Sequence, residues 1–274
     1  MKKTLSTVVL AFLMFSAAAH AQSPSGETSS DEPTFVEPTP QLRWSLGLGV
    51  ISSPRPYIGV DNKITPIPLI ELTYKKWYVQ GIQAGFHFID NRKFTLDARA
   101  GFVFAGLDPE DSAELAGMNK KDSSVDAGFV FDWKPGKYRL STSIFTDILG
   151  VSNGQQAAMD FSRFWMFNRG QSGIVPSVGV VWQSSNMVDY YVGVTPEEAR
   201  PGRPVFIGHS AINFRSSLFG FFYFTPRIRL TGLLRVQRLA NEISESPIVD
   251  QSRGFFALVG VTYRFGALPP RPPS

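Results

Sequence analysis

The chain has 274 residues, with 27 Lys+Arg against 23 Asp+Glu for a formal net charge of +4, 43% hydrophobic and 13% aromatic residues, three His and no Cys. Without Cys there is no disulfide framework, thiolate zinc site, iron–sulfur cluster or thiol nucleophile, and three His leave little material for a histidine metal site. Charged residues are only 18%, against about 25% in an average soluble protein, and Lys and Arg are scattered instead of forming the basic block a nucleic-acid surface needs.

Lys2 and Lys3 precede an apolar stretch, Leu5 to Ala19, that closes on Ala19-His20-Ala21 before Gln22. This order of positive, apolar and small-x-small segments predicts an export signal over residues 1–21, cleaved before Gln22, and the stretch is short for a span needing about 20 apolar residues. The mature chain then carries 25 Lys+Arg against 23 acids, a balance of +2. Residues 22–40 hold four Pro, four acids and no Lys or Arg. Such a segment buries too little apolar surface to offset its ordering entropy, so a disordered, acidic periplasmic lead-in is expected.

From residue 41 to 265 the dominant signal is a period of two. Strand candidates are 42–50, 64–74, 77–89, 93–104, 124–133, a segment from Tyr138 to Ile148, 156–167, 172–184, 211–224, 226–239 and 253–265. In 93–104, Phe94, Leu96, Ala98, Ala100 and Phe102 share one face while Thr95, Asp97, Arg99 and Gly101 share the other. In 124–133, Val125, Phe129, Phe131 and Trp133 oppose Asp126 and Asp132 in the same way. Lys134-Pro135-Gly136 reads as a tight turn, because Pro presets φ and Gly supplies a positive one. A short helix is expected only in Pro109 to Met118.

These segments approach the ~9–11 residues that a tilted strand needs to cross a bilayer, and exceed the ~5–6 typical of globular strands. Aromatic residues gather near strand ends, at Trp133, Tyr138, Trp165, Trp182, Tyr263 and Phe265, as interfacial girdles require. Charges such as Asp97, Arg99, Asp132, Arg139, Asp147, Arg229 and Arg235 fall on the polar face. With an export signal and no spanning helix, a closed transmembrane antiparallel β-barrel satisfies the backbone in lipid. Both ends of such a barrel face the periplasm, so the strand count is even. Treating 64–89 as one descending unit, bent at Lys75-Lys76 or Gly81, yields ten strands; twelve stays open if Tyr190 to Val194 pairs as well. The expected organisation is a barrel over 41–265 followed by a Pro-rich periplasmic tail, 266–274.

Several runs together carry a family resemblance. They are Pro56-Tyr57-Ile58-Gly59, Leu115-Ala116-Gly117-Met118, the block from Asp189-Tyr190-Tyr191-Val192-Gly193-Val194 to Ala199, Arg238-Leu239 with Ser246-Pro247-Ile248-Val249, and the Tyr263-Arg264-Phe265 ending. Over residues 42 to 265 the chain resembles the MipA/OmpV family. The resemblance implies an outer-membrane barrel of a Gram-negative bacterium. It also implies a non-enzymatic scaffold between a lytic murein transglycosylase and a bifunctional peptidoglycan synthase, with surface antigens, adhesins and porin-like proteins among other members. It carries no catalytic residues.

His209-Ser210, with Asp189 or Glu197 as an orienting acid, is the nearest approach to a hydrolase constellation. Neighbours in a strand point to opposite faces, so it predicts no triad. His87, between Phe86 and Phe88, reads as a barrel-wall histidine, and the pairs Glu197-Glu198 and Glu242/Glu245 read as solvated loop surface. No catalytic, cofactor-binding or metal residue, no cofactor and no enzyme activity are expected. A narrow pore, or outer loops that bind external ligands, is the alternative function.

Overall fold

A computed structural model describes residues 42–62, 64–103 and 106–266. The signal segment, the acidic lead-in and tail residues 267–274 lie outside the described residues. The strands are β1 (Arg43–Ser52), β2 (Ile64–Tyr74), β3 (Trp77–Gln80), β4 (Gln83–Asp90), β5 (Phe94–Val103), β6 (Ser124–Trp133), β7 (Tyr138–Asp147), β8 (Gln155–Arg163), β9 (Trp165–Phe167), β10 (Ser172–Gln183), β11 (Ala211–Tyr223), β12 (Ile228–Arg238) and β13 (Arg253–Phe265). Each pairs antiparallel with its neighbours, and β13 returns to pair with β1, closing the sheet into a barrel. At that seam the rings of Trp44 and Phe265 stack with centroids 4.0 Å apart. β8 and β9 are two parts of one barrel strand, both paired to β10. The barrel therefore has twelve strands.

Twelve corrects the expectation of ten, and the extra pair does not come from Tyr190 to Val194, which is mostly helical. It comes from 64–89, which is three strands instead of one. The chain reverses at Lys75 (φ 54) and again at Gly81 (φ 59), so both proposed bends are complete turns. The resulting β3 is short and pairs only with Glu71–Tyr74 of β2. The Gly81 N–H donates to the Ile70 carbonyl at 2.7 Å, so even-numbered residues of β2 direct their backbone groups toward β3. Beyond Glu71 that edge has no strand beside it among the described residues, and Pro66 and Pro68 occupy even positions there, where a residue without N–H leaves no orphan donor.

Alternation places lipid and lumen faces as expected. Leu48 is 75% exposed on the isolated chain, and Phe129, Ile144, Phe214 and Val259 are exposed on the same outer face. Asp97, Arg99, Asp126, Asp132, Asn213 and Arg215 are buried inward. One sector of the lumen is apolar: Ile51, Leu233, Phe256 and Leu258 cluster with Ile67 and Phe219.

The two ends differ. One carries tight turns, with Asn91 Oδ1 accepting from the Lys93 and Phe94 N–H groups and Thr225 Oγ1 from those of Arg227 and Ile228. Most of the aromatic girdle lies at this end, where Arg163 stands over the rings of Tyr138 and Trp165. The other end carries the long loops.

Candidate functional site

The long loops fold into a cap over the barrel mouth. The segments joining β1 to β2, β5 to β6, β10 to β11 and β12 to β13 share an apolar core that includes Tyr57, Leu107, Leu115, Val194 and Ile248. Leu115 and Ile248 are fully buried, which solvated loops would not achieve. Burying side chains of this size stabilises by about 1.5–3 kcal/mol each, which works against the entropy of ordering these connections.

Within the cap, α1 (Ser185–Val192) starts where the Ser184 hydroxyl accepts from the Met187 N–H. Its residues Met187, Val188, Tyr191 and Val192 share a buried face by the spacing of a helix. That spacing is why Tyr190 to Val194 does not become a strand. Pro109 to Met118 forms two short 3₁₀ turns, Pro109–Asp111 and Ala113–Leu115, instead of one helix. A four-residue helix, α2 (Asn241–Ser244), completes the cap.

Directional bonds tie the loops together. Arg203 donates to the carbonyls of Glu114, Ala116 and Glu198, and Arg200 to those of Ala113, Glu114 and Ala116. The Glu198 carboxylate accepts from the Thr195 N–H at 2.9 Å and the Asn119 N–H at 2.7 Å. Burial pushes this carboxyl up, but those two N–H groups and the Lys121 ammonium outweigh it and hold Glu198 below the usual glutamate range. Tyr57 donates to the Tyr191 carbonyl at 3.1 Å, Ser246 to the Val192 carbonyl at 2.6 Å, and the Tyr190 hydroxyl accepts from the Asp122 N–H at 2.8 Å. Burial pushes the Tyr57 phenol well above its ordinary value, so it remains a neutral donor. Arg55 pairs with Asp111 at 2.5 Å.

Beneath the cap lies a cavity of about 110 Å³, walled on the cap side by Tyr57, Met187, Val188 and Tyr191. Gln156, Gln183, Arg215 and Arg235 line it from the barrel wall. A second cavity of about 70 Å³ follows, bordered by Arg99, Arg139, Arg215 and Arg235. Acids interleave with these cations. Arg215 Nε donates to Asp160 at 2.7 Å, Arg99 Nη2 to Asp97 at 3.0 Å, and Arg139 lies 3.9 Å from Asp132. Arg229 of β12 pairs with Glu71 of β2, three strands away around the wall.

His87 is the barrel-wall residue expected, with Nδ1 2.5 Å from Asp97 and its ring stacked on Tyr78. His209 and Ser210 are both exposed. Asp189 accepts from the Gly208 N–H at 2.7 Å, so it holds the loop backbone, and Glu197 is exposed on the surface. Glu198 is not the solvated surface acid expected; it is buried and binds two backbone donors. The latch residues Arg200 and Arg203 and the cavity residues Arg215, Arg235 and Gln156 were missed, because loop packing leaves no periodic signal and a lumen residue looks like any other polar-face residue.

The loop runs singled out in the sequence, from Pro56-Tyr57 to Pro247-Ile248, meet in this cap. The pattern of the family described as MltA-interacting protein MipA matches residues 46–265, which contain all of them. The chain belongs to the MipA family. It is 26% identical over 226 residues to the MltA-interacting protein of Escherichia coli strain K12, covering 81% of this chain and 90% of that relative. It is 30% identical over 161 residues to the outer membrane protein OmpV of Vibrio cholerae, covering 58% of this chain and 61% of that relative. Among solved structures, an outer membrane channel from Pseudomonas putida F1 aligns with a TM-score of 0.41 and 9% identity, over 86% of this chain and all of that one. This MipA-family chain is an outer-membrane β-barrel protein.

Proposed function

We propose that the protein is a non-enzymatic scaffold of the outer membrane that holds a lytic murein transglycosylase and a bifunctional peptidoglycan synthase together during cell-wall growth. The observation that carries this reading is the roofing of the barrel: a cap with its own apolar core covers one mouth, and buried Arg–Asp pairs line the lumen wall below it. A barrel roofed in this way serves best as an anchor. The name of the Escherichia coli relative, an MltA-interacting protein, supports the first partner.

In this reading a cleaved export signal delivers the chain, lipid covers the apolar outer face, and the long loops face outward. The turns and both termini face the cell wall. Lys75, Lys76, Arg92, Lys93, Lys134, Lys137 and Arg227 stand on the turns, where Asp90 is the one acid, so the rim suits an acidic partner face. The acidic segment 22–40 suits a basic partner, and the Pro-rich tail 267–274 is a second contact.

Affinity capture by the tagged full chain from detergent-solubilised envelopes tests the reading. Co-purification of a lytic transglycosylase with a wall synthase is expected; capture of neither overturns it. A second reading, a narrow pore, draws on the arginines bordering the lumen cavity. Planar-bilayer recording separates the two, since a scaffold shows no reproducible open channel.

A further inference from the structure

The cavity under the cap has a chemical character that the scaffold reading does not use. Its charged lining groups are both cations, Arg215 and Arg235, and no acid lines it among the described residues. Two further lining groups are buried polar side chains whose hydrogen-bonding atoms have no partner: Gln156 Nε2, on a residue 2% exposed, and the Tyr191 hydroxyl, on a residue 6% exposed. An amide N–H, a phenol O–H and guanidinium N–H groups all donate, so the polar side of the cavity calls for an acceptor. A buried donor left unmatched is costly, and two such donors, one from the barrel wall and one from the cap, border this one cavity, which favours a ligand that supplies the acceptor. The rest of the cap-side lining, Tyr57, Met187 and Val188 beside Tyr191, belongs to the apolar core of the cap.

We propose that this cavity binds a small organic anion, a monocarboxylate with a short apolar body, its carboxylate against the arginines and the two buried donors and its body against the cap core. Size narrows the class. A dry apolar cavity of roughly 150 Å³ takes benzene, so the 110 Å³ here suits a body smaller than a ring, such as a chain of a few carbons. The arginines suit a carboxylate because a guanidinium offers planar, charge-assisted donors. Asp160 engages Arg215 from the lumen side, which holds that guanidinium in place without lining the cavity.

Titration calorimetry of the full chain, folded in detergent, with pentanoate, 1-pentanol and acetate tests the proposal. Pentanoate is expected to bind saturably and at least about tenfold more tightly than pentanol, which lacks the charge, or acetate, which lacks the body. Arg235→Gln is expected to weaken pentanoate by about tenfold or more, and Tyr191→Phe by severalfold, since it removes one donor and keeps the ring in the cap core. Heat-modifiable migration checks the fold of each variant, and Tyr191→Phe carries the test if Arg235→Gln does not fold. No saturable binding up to ~10 mM, equal binding of pentanoate and pentanol, or unchanged affinity in the folded variants would each overturn it.

Discussion

Arg203 reaches the carbonyl oxygen of Glu114, 3.0 Å away and 89 residues earlier in the chain. The same guanidinium also takes the carbonyls of Ala116 and Glu198. One side chain thus fixes the loop between β5 and β6 against the loop between β10 and β11, using the planar fork of donors that only arginine offers.

Arg203→Ala should loosen the cap and leave the barrel intact. It removes the guanidinium bonds to the buried Glu198 backbone, a loss of roughly 1–3 kcal/mol, and leaves Arg200 alone to hold Glu114 and Ala116. Limited proteolysis is expected to cut within 106–123 much faster than in the parent chain, while the heat-dependent gel shift of the barrel stays unchanged. Equal cleavage rates would show that the apolar core alone holds the loop.

The Glu198 bonds make the cap sensitive to acid. Its carboxyl lies below the usual glutamate value in the folded cap, so the folded state prefers the ionised form. That contribution is complete above the ordinary glutamate range and is lost as pH falls through the depressed value. Hydrogen exchange at Thr195 and Asn119 should accelerate at acid pH in the parent chain. Glu198→Gln should exchange faster already at neutral pH and show a flatter pH dependence.

Leu48 stands in the middle of β1 on the outer face, 75% exposed. If lipid covers it, Leu48→Arg costs about 2–4 kcal/mol of barrel stability, seen as a lower urea midpoint for folding into vesicles. A change of a few tenths of a kcal/mol, as on an ordinary water-exposed surface, would contradict a membrane-spanning β1.

Tyr78 links the short β3 to the lumen network: its hydroxyl accepts from Arg99 Nε at 2.9 Å and donates to Asp97 at 3.0 Å. Tyr78→Phe should lower barrel stability by about 1–3 kcal/mol, because both charged partners lose a buried bond. Unchanged stability would place Tyr78 outside the barrel wall and weaken the assignment of 77–80 as a separate strand.

What the sequence determined by itself was the wall. Alternation of apolar and polar residues separates the lipid and lumen faces residue by residue, as in Phe94 to Gly101, because side-chain direction in a strand depends only on position parity. The even strand count and the family resemblance were legible for similarly local reasons. The count itself was not: outward positions switch from even at Tyr74 to odd at Trp77, and in so short a hairpin that change of phase reads as a bend in one strand as readily as a reversal. Only the tertiary structure decided what the loops do. Leu115, Val194 and Ile248 look like isolated apolar residues in polar connections, and Glu198 like a surface acid, until barrel closure brings four loops to one mouth. The cavity beneath them exists for the same reason, since Gln156, Tyr191 and Arg235 belong to separate segments that surround one space only when the first strand pairs with the last.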